Sequence, residues 1–306
     1  MSSATSGLER RDSIDALAAS LMILLTFSWG LNQVAIKIAN TGYNPVLLTV
    51  LRSVIAACLV FLWCRWKGIR LFERDGTLPG GLLAGIMFGA EFVLIFFGLD
   101  YTSAARGVLM INTMPFWVLV GGHFFLGERI SPVRFAGLVL AFAGVVLVFS
   151  DELSLAGPDA LFGDALCLVA GFLWGATTIV IRRTKLATAR AEKTLLYQLA
   201  VSAVFALPLL PFAGPLLREV SALATASLMF QAVYVVAFTY ILWFWLIRQY
   251  PASGLSSFTF LSPVFGVLCG ALILDEPLSA RIFLALGLIA VGLLLVNRPV
   301  RRTIPA

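Results

Sequence analysis

Apolar residues run in blocks along this chain, separated by short clusters of charge, proline and glycine, and within each block polar residues are scarce on every face. Ten blocks fall at approximately 16–38, 44–65, 79–99, 104–126, 132–150, 160–181, 194–214, 223–246, 253–274 and 278–297. Each is close to the roughly 20 residues a helix needs to cross a bilayer core of roughly 30 Å. Strands of a membrane barrel would alternate polar and apolar side chains over about ten positions, and these blocks do not. A helix satisfies its own backbone hydrogen bonds, which lipid cannot do. The pattern therefore predicts an all-α polytopic membrane protein with ten transmembrane helices.

Composition agrees. Of 306 residues, 60% are hydrophobic and 12% charged, and the mean hydropathy is +0.97. A soluble chain of this length would need more charge to cover its surface. Basic residues set the orientation. With the N-terminus cytoplasmic, every Lys and Arg except Lys37, Arg52, Arg106, Arg218 and Arg281 falls on the cytoplasmic side. Both termini are predicted to be cytoplasmic, as tails 1–15 and 298–306, in a multi-pass protein of the bacterial inner (plasma) membrane. The net charge of +6 is thus a topology signal, and no soluble segment interleaves basic and aromatic residues as nucleic-acid binding would require. Cys58, Cys64, Cys167 and Cys269 all lie in predicted spans without metal-ligand spacing, so they read as small apolar residues. The first block follows "ERRD" but shows no persuasive cleavage site, and it is kept as the first span.

The chain also repeats itself. "FSWGLNQVAIK" (27–37) returns 145 positions later as "FLWGATTIVIR", with Arg182 in place of Lys37. "YTSAARGVLMINTMPFWVLVGGHFFLGERIS" (101–131) matches "YPASGLSSFTFLSPVFGVLCGALILDEPLS" (250–279), setting Pro115 against Pro263, Glu128 against Glu276 and Ser131 against Ser279. Two halves of five spans follow, with boundaries 1–151 and 152–306. Because five is odd, the second half enters the membrane from the opposite side. Such inverted repeats are a device of secondary transporters, in which two similar bundles exchange conformations around a midplane site.

These same stretches resemble the two EamA-type repeats of the drug/metabolite transporter superfamily, across residues 16 to 297. Within it the chain is similar to the YddG-like exporters of amino acids, particularly aromatic ones. The resemblance implies a ten-helix basket around a central cavity lined by both halves, working by alternating access.

Polar residues in mid-span are the best pointers to such a cavity, because burying them in lipid is costly. Glu91, in "MFGAEFVLIFFG", is the clearest. It reads as a cavity carboxylate that attracts an ammonium or takes up a proton; the structural alternative is a neutral acid bonded to a neighbouring helix. The repeat sets Thr239 or Tyr240 opposite it. Trp29 and Trp174 are candidate flat walls, with Asn32 and Gln33, and in the second half Thr177 and Thr178, one turn further on the same face. The competing reading makes Gly30 and Gly175 packing devices and the amides interhelical bonds. Asn112 precedes Pro115, as Ser262 and Phe258 precede Pro263, and both prolines read as kinks or hinges. Glu128 and Glu276 read as capping or salt-bridge residues, Lys37 and Arg182 as snorkelling to the interfaces, Arg52 as paired with an acid, and His123 as packed near a span end.

Enzymatic function is disfavoured: one histidine rules out a paired-histidine zinc motif, and no P-loop is present. No cofactor and no metal is expected. A channel would want a ring of like residues or a continuous polar stripe. The sequence reading is a secondary transporter, functioning as a monomer, that exports amino acids or similar amphipathic small-molecule solutes. Its rivals are an exporter of lipophilic cations and a carrier of nucleotide sugars or sugar phosphates. The last would need clustered basic residues at cavity depth, where Arg52 stands alone.

Overall fold

The computed structural model describes residues 11, 13–102, 104–150, 160–274 and 280–298, and among them the regular structure is helical. The elements are α1 (Ala16–Gly42), α2 (Pro45–Trp66), α3 (Leu78–Tyr101), α4 (Ala104–Ile111), α5 (Met114–Leu126), α6 (Pro132–Val148), α7 (Ala160–Arg183), α8 (Ala191–Ala206), α9 (Ala222–Met229), α10 (Tyr240–Gln249), α11 (Ala252–Ser257), α12 (Leu261–Leu274) and α13 (Arg281–Val296). A π-helical segment, Phe230–Thr239, joins α9 to α10, and a 3₁₀ turn, Phe258–Phe260, joins α11 to α12.

Local signals explain the starts. Asp15 caps α1 by accepting from Ala18 N at 2.8 Å, Asn44 caps α2 by accepting from Val46 N at 2.9 Å ahead of Pro45, and Ser131 caps α6. Pro115 breaks the fourth predicted span, because a proline cannot donate to the preceding turn. α4 ends at Ile111, α5 begins at Met114, and Thr113 N and Phe116 N make three-residue turns between them. The matching irregularity before Pro263 is the 3₁₀ turn.

Among the described residues eight stretches are long and apolar enough to cross a membrane: Ala16–Gly42, Pro45–Trp66, Leu78–Ile95, Arg106–Leu126, Ala160–Arg183, Ala191–Phe212, Ala222–Gln249 and Ala252–Ile273. The other two predicted spans are shorter than expected. α6 has 17 residues and α13 has 16, about 25 Å of helix against a hydrocarbon core of roughly 30 Å. They pack along each other, with Gly137 and Gly292 so close that a Cβ on either would meet the other's carbonyl at 2.7 or 2.5 Å. Small residues permit that approach, which supplies packing where lipid offers no hydrophobic drive.

The packing has a regular plan. α1 lies on α12 as α7 lies on α5; α3 lies on α7 as α1 lies on α9 and the π segment; α3 lies on α8 as α2 lies on the π segment. The glycines follow the same plan. A Cβ on Gly30 would meet Phe265 Cβ at 2.6 Å, and one on Gly175 would meet Trp117 Cβ at 2.9 Å. Gly30 and Gly175 are thus helix-packing positions, and they bring the Trp29 and Trp174 helices close to the broken ones.

Candidate functional site

One end of the bundle is tied together. The Glu128 carboxylate accepts from Ala252 N at 2.8 Å, Ser253 N at 3.1 Å, the Ser253 hydroxyl, and Arg182 Nη1 at 3.3 Å. Arg182 Nη1 also donates to the Tyr250 carbonyl at 2.5 Å, and the Tyr250 hydroxyl donates to Asp15, which pairs with Arg11. Four segments are joined here: the start of α1, the turn after α5, the end of α7 and the start of α11. Glu128 is therefore both a cap and an ion-pair partner, as its position in "LGER" predicts. Arg182 departs from expectation, because its side chain is buried in this network instead of snorkelling to an interface. His123 also departs. It is exposed beside Phe124, with Nδ1 3.1 Å from the Glu128 carbonyl oxygen. Glu276 and Ser279 lie outside the described residues.

From mid-bundle toward the opposite end runs a cavity of about 810 Å³. Trp29, Asn32, Gln33, Glu91, Asn112, Trp174, Thr177, Thr178, Tyr240 and Pro263 all line it. Gln33 and Lys37 remain exposed while lining it, so its wide end meets solvent. Pro115 is not in the wall; it is buried at the start of α5. The wide end is framed by the α1–α2 turn and the segment after α8, where Asn44 N donates to the Leu216 carbonyl and Arg218 N to that of Gly42, both at 2.9 Å.

Trp29 is the hub of the floor. Its ring stands edge-to-face with Trp174, Tyr240 and Trp243 at centroid distances of 6.5, 6.2 and 5.7 Å, and each such pair is worth about 0.5–1.5 kcal/mol beyond area burial. Its Nε1–H donates to Thr239 Oγ1 at 3.0 Å, and Thr239 donates on to the Val235 carbonyl at 2.5 Å. The alternatives at the repeat position are thereby separated: Tyr240 faces the cavity, and Thr239 holds Trp29 in place. The floor lies about 20 Å from the far end of α1, counting about 1.5 Å per residue.

The polar wall divides into satisfied and unsatisfied groups. Thr177 and Thr178 hydroxyls donate to the Leu173 and Trp174 carbonyls of their own helix, and Asn112 Nδ2 donates to the Val108 carbonyl at 2.8 Å. By contrast Asn32 Oδ1, Glu91 Oε2 and Gln198 Oε1 are buried without a hydrogen-bond partner. Leaving such a group unpaired costs about 1–3 kcal/mol. Arg52, 6% exposed, shares the cavity with Glu91, 5% exposed, and lies within electrostatic reach of it and of Tyr240. Its guanidinium rests on the Phe92 ring at 4.6 Å and forms no ion pair with Glu91. Arg52, expected to pair with an acid, thus shares its cavity with Glu91 but rests on an aromatic ring.

Sequence reasoning passed over Gln198, Gln231 and Trp243, which also line the cavity, and undervalued Arg52. The two glutamines carry the same signal that exposed Glu91, polarity inside an apolar block. Lys37 and Arg218 join Arg52 in the lining, so basic residues in the wall are more numerous than expected, although both sit toward the wide end. Among the described residues no cluster of His, Cys, Asp and Glu is arranged to hold a metal.

The EamA-like transporter family matches residues 16–150 and again 161–298, and the chain belongs to that family, within the drug/metabolite transporter superfamily. It is 27% identical to the uncharacterized transporter YoaV of Bacillus subtilis over 89% of this chain and 94% of that one. It is 30% identical to an uncharacterized transporter of Archaeoglobus fulgidus, covering 91% and 97%. It is 28% identical to a probable amino-acid metabolite efflux pump of Escherichia coli, covering 89% and 92%. A crystal structure with 19% identity superimposes with a TM-score of 0.80 over 92% of this chain and 98% of that one, which shows a shared fold. The protein is a multi-pass membrane transporter and not an enzyme.

Proposed function

We propose that this member of the EamA-like transporter family is a monomeric carrier exporting amino acids, aromatic or otherwise apolar, or similar amphipathic metabolites. The setting is the bacterial inner membrane and the mechanism alternating access. One observation carries the reading: a large cavity, mostly apolar and aromatic at its floor, holds a few buried polar groups contributed by helices from both halves of the chain. That is the character of a site for a small amphipathic molecule. The efflux-pump relatives of Escherichia coli and Salmonella typhimurium, at 28% and 27% identity, support the solute class.

In this reading the ten helical units form two inverted repeats with both termini cytoplasmic. The matched packing plan of the two halves, together with the basic residues around the tied end, supports it. The tied end around Glu128 is then the closed cytoplasmic gate, and the cavity faces outward. Alternation would open that end as the other closes, with the irregular helices before Pro115 and Pro263 absorbing the bend. A lipophilic cation is a poorer fit than the sequence implied, because Arg52 is buried in the same cavity as Glu91.

Liposomes holding only the purified protein test the reading. Saturable flux of labelled aromatic or aliphatic amino acids is expected. Flux of a lipophilic cation without amino-acid flux would overturn it.

A further inference from the structure

Three helices each present an unpartnered acceptor to one cavity: Asn32 Oδ1 from α1, Glu91 Oε2 from α3 and Gln198 Oε1 from α8. A fourth helix, α2, presents the buried guanidinium of Arg52. The chemistry of the two sets is complementary to one class of ligand. Guanidinium carries donors and no acceptor, so it calls for an acceptor-only anion; the leftover oxygens call for a donor-rich cation, and a primary ammonium has three N–H donors and no acceptor. Arg52 and Glu91 line the same cavity, yet the Arg52 guanidinium rests on Phe92 and Glu91 Oε2 has no hydrogen-bond partner. A guanidinium and a carboxyl in the wall of one cavity match a molecule that carries an anionic and a cationic group together.

We infer that Arg52 and Glu91 form a clamp for the zwitterionic head of an α-amino acid, with Arg52 on the carboxylate and Glu91, helped by Asn32 and Gln198, on the ammonium. The solute's side chain lies on the floor of Trp29, Trp174 and Tyr240. Arg52 is suited to the part because its planar fork meets a carboxylate through two parallel bonds. The Phe92 face beneath it, at 4.6 Å, limits where the fork can turn. The clamp excludes half-charged analogues in both directions: an amine lacking the carboxylate leaves Arg52 uncompensated and is repelled by it, and an acid lacking the amine is repelled by Glu91. The inference rests on the carrier reading above and adds the head-group chemistry.

The test uses proteoliposomes and a labelled aromatic amino acid, challenged with the same amino acid, its decarboxylated amine and its deaminated acid. In the unaltered protein each analogue should compete at least about tenfold worse than the amino acid, the effect of losing one partner of a buried charged contact. Arg52→Gln should lose amino-acid flux while its preference moves toward the amine, and Glu91→Gln should move preference toward the acid. Arg52→Lys, which keeps the charge, should retain part of the flux, and thermal unfolding in detergent checks that each variant is folded. Amino-acid flux in which either analogue competes as well as the amino acid overturns the clamp and leaves the carrier reading standing. Variants that are folded and weaken all three ligands equally overturn it as well. Lipophilic-cation flux without amino-acid flux overturns both.

Discussion

Two glutamates of this protein sit in opposite circumstances. Glu128, in the tied end, is saturated, its carboxylate receiving two backbone N–H groups, a serine hydroxyl and Arg182. Glu91, in the cavity, has a buried oxygen with no partner at all, although Arg52 is near. A fully bonded carboxylate stabilises the conformation it is bonded in, and an unbonded buried one costs stability until something binds. The first behaves as a structural tie and the second as a receptor for a ligand. The same contrast separates Asn112, bonded to its own helix, from Asn32, which has an orphan oxygen.

The contrast makes testable demands. Glu128→Ala should have the largest effect on stability, about 3–5 kcal/mol, because it removes the carboxylate that faces the buried Arg182 guanidinium and accepts from two backbone N–H groups. A thermal midpoint that stays put would show that the end is held by something else. Trp29→Ala should cost about 3 kcal/mol, since that ring is packed by three others, and Trp174→Ala, half-buried, should cost less. Both should depress flux of bulky solutes more than that of small ones; equal loss across solutes in folded protein would remove the tryptophans from the site. Glu91→Gln should leave the melting temperature unchanged or raised while amino-acid flux falls by about tenfold or more, the reverse of the Glu128 outcome. If it melts earlier and transports normally, the two glutamates do not differ as described.

The smallest effect is expected outside the membrane. Lys193 Nζ donates to Asp75 at 2.7 Å, with Thr77 adding its backbone N–H and hydroxyl, and these bonds hold the Asp75 carboxyl well below the usual carboxylate range. A depressed folded-state value stabilises fully above the unfolded value of about 4 and loses that contribution as pH falls through the folded value. Asp75→Asn should therefore lower the melting temperature slightly at pH 7, and the difference should shrink as pH drops below about 4. A difference that grows on acidification would contradict the assignment.

Much of the cavity wall is legible in the sequence. Glu91, Asn32, Gln33, Asn112, Thr177 and Thr178 stand out because a polar residue in an apolar block must face a partner or a cavity. The tryptophans were marked by their repetition 145 positions apart. The same reasoning left Arg52 without its neighbour, because Glu91 is remote in sequence and only the packing of α2, α3 and α8 brings the two to one cavity. Arg182 was misplaced for a similar reason. Seen along its own helix it is a terminal cation, and the turn that buries it comes from Tyr250 and Ala252.

By itself the sequence determined what depends on solvent and local backbone. Lipid admits helices, so apolar blocks become helices. Proline cannot donate to the preceding turn, so Pro115 breaks its helix, and Asp15, Asn44 and Ser131 start theirs by capping. Only tertiary structure decided which polar groups are satisfied. Hydrogen-bond partners come from distant helices whose crossing is set by packing at Gly30, Gly175, Gly137 and Gly292, and no periodicity within one helix encodes whether another helix supplies a donor. Glu128 found its donors across the bundle and Glu91 found a cavity.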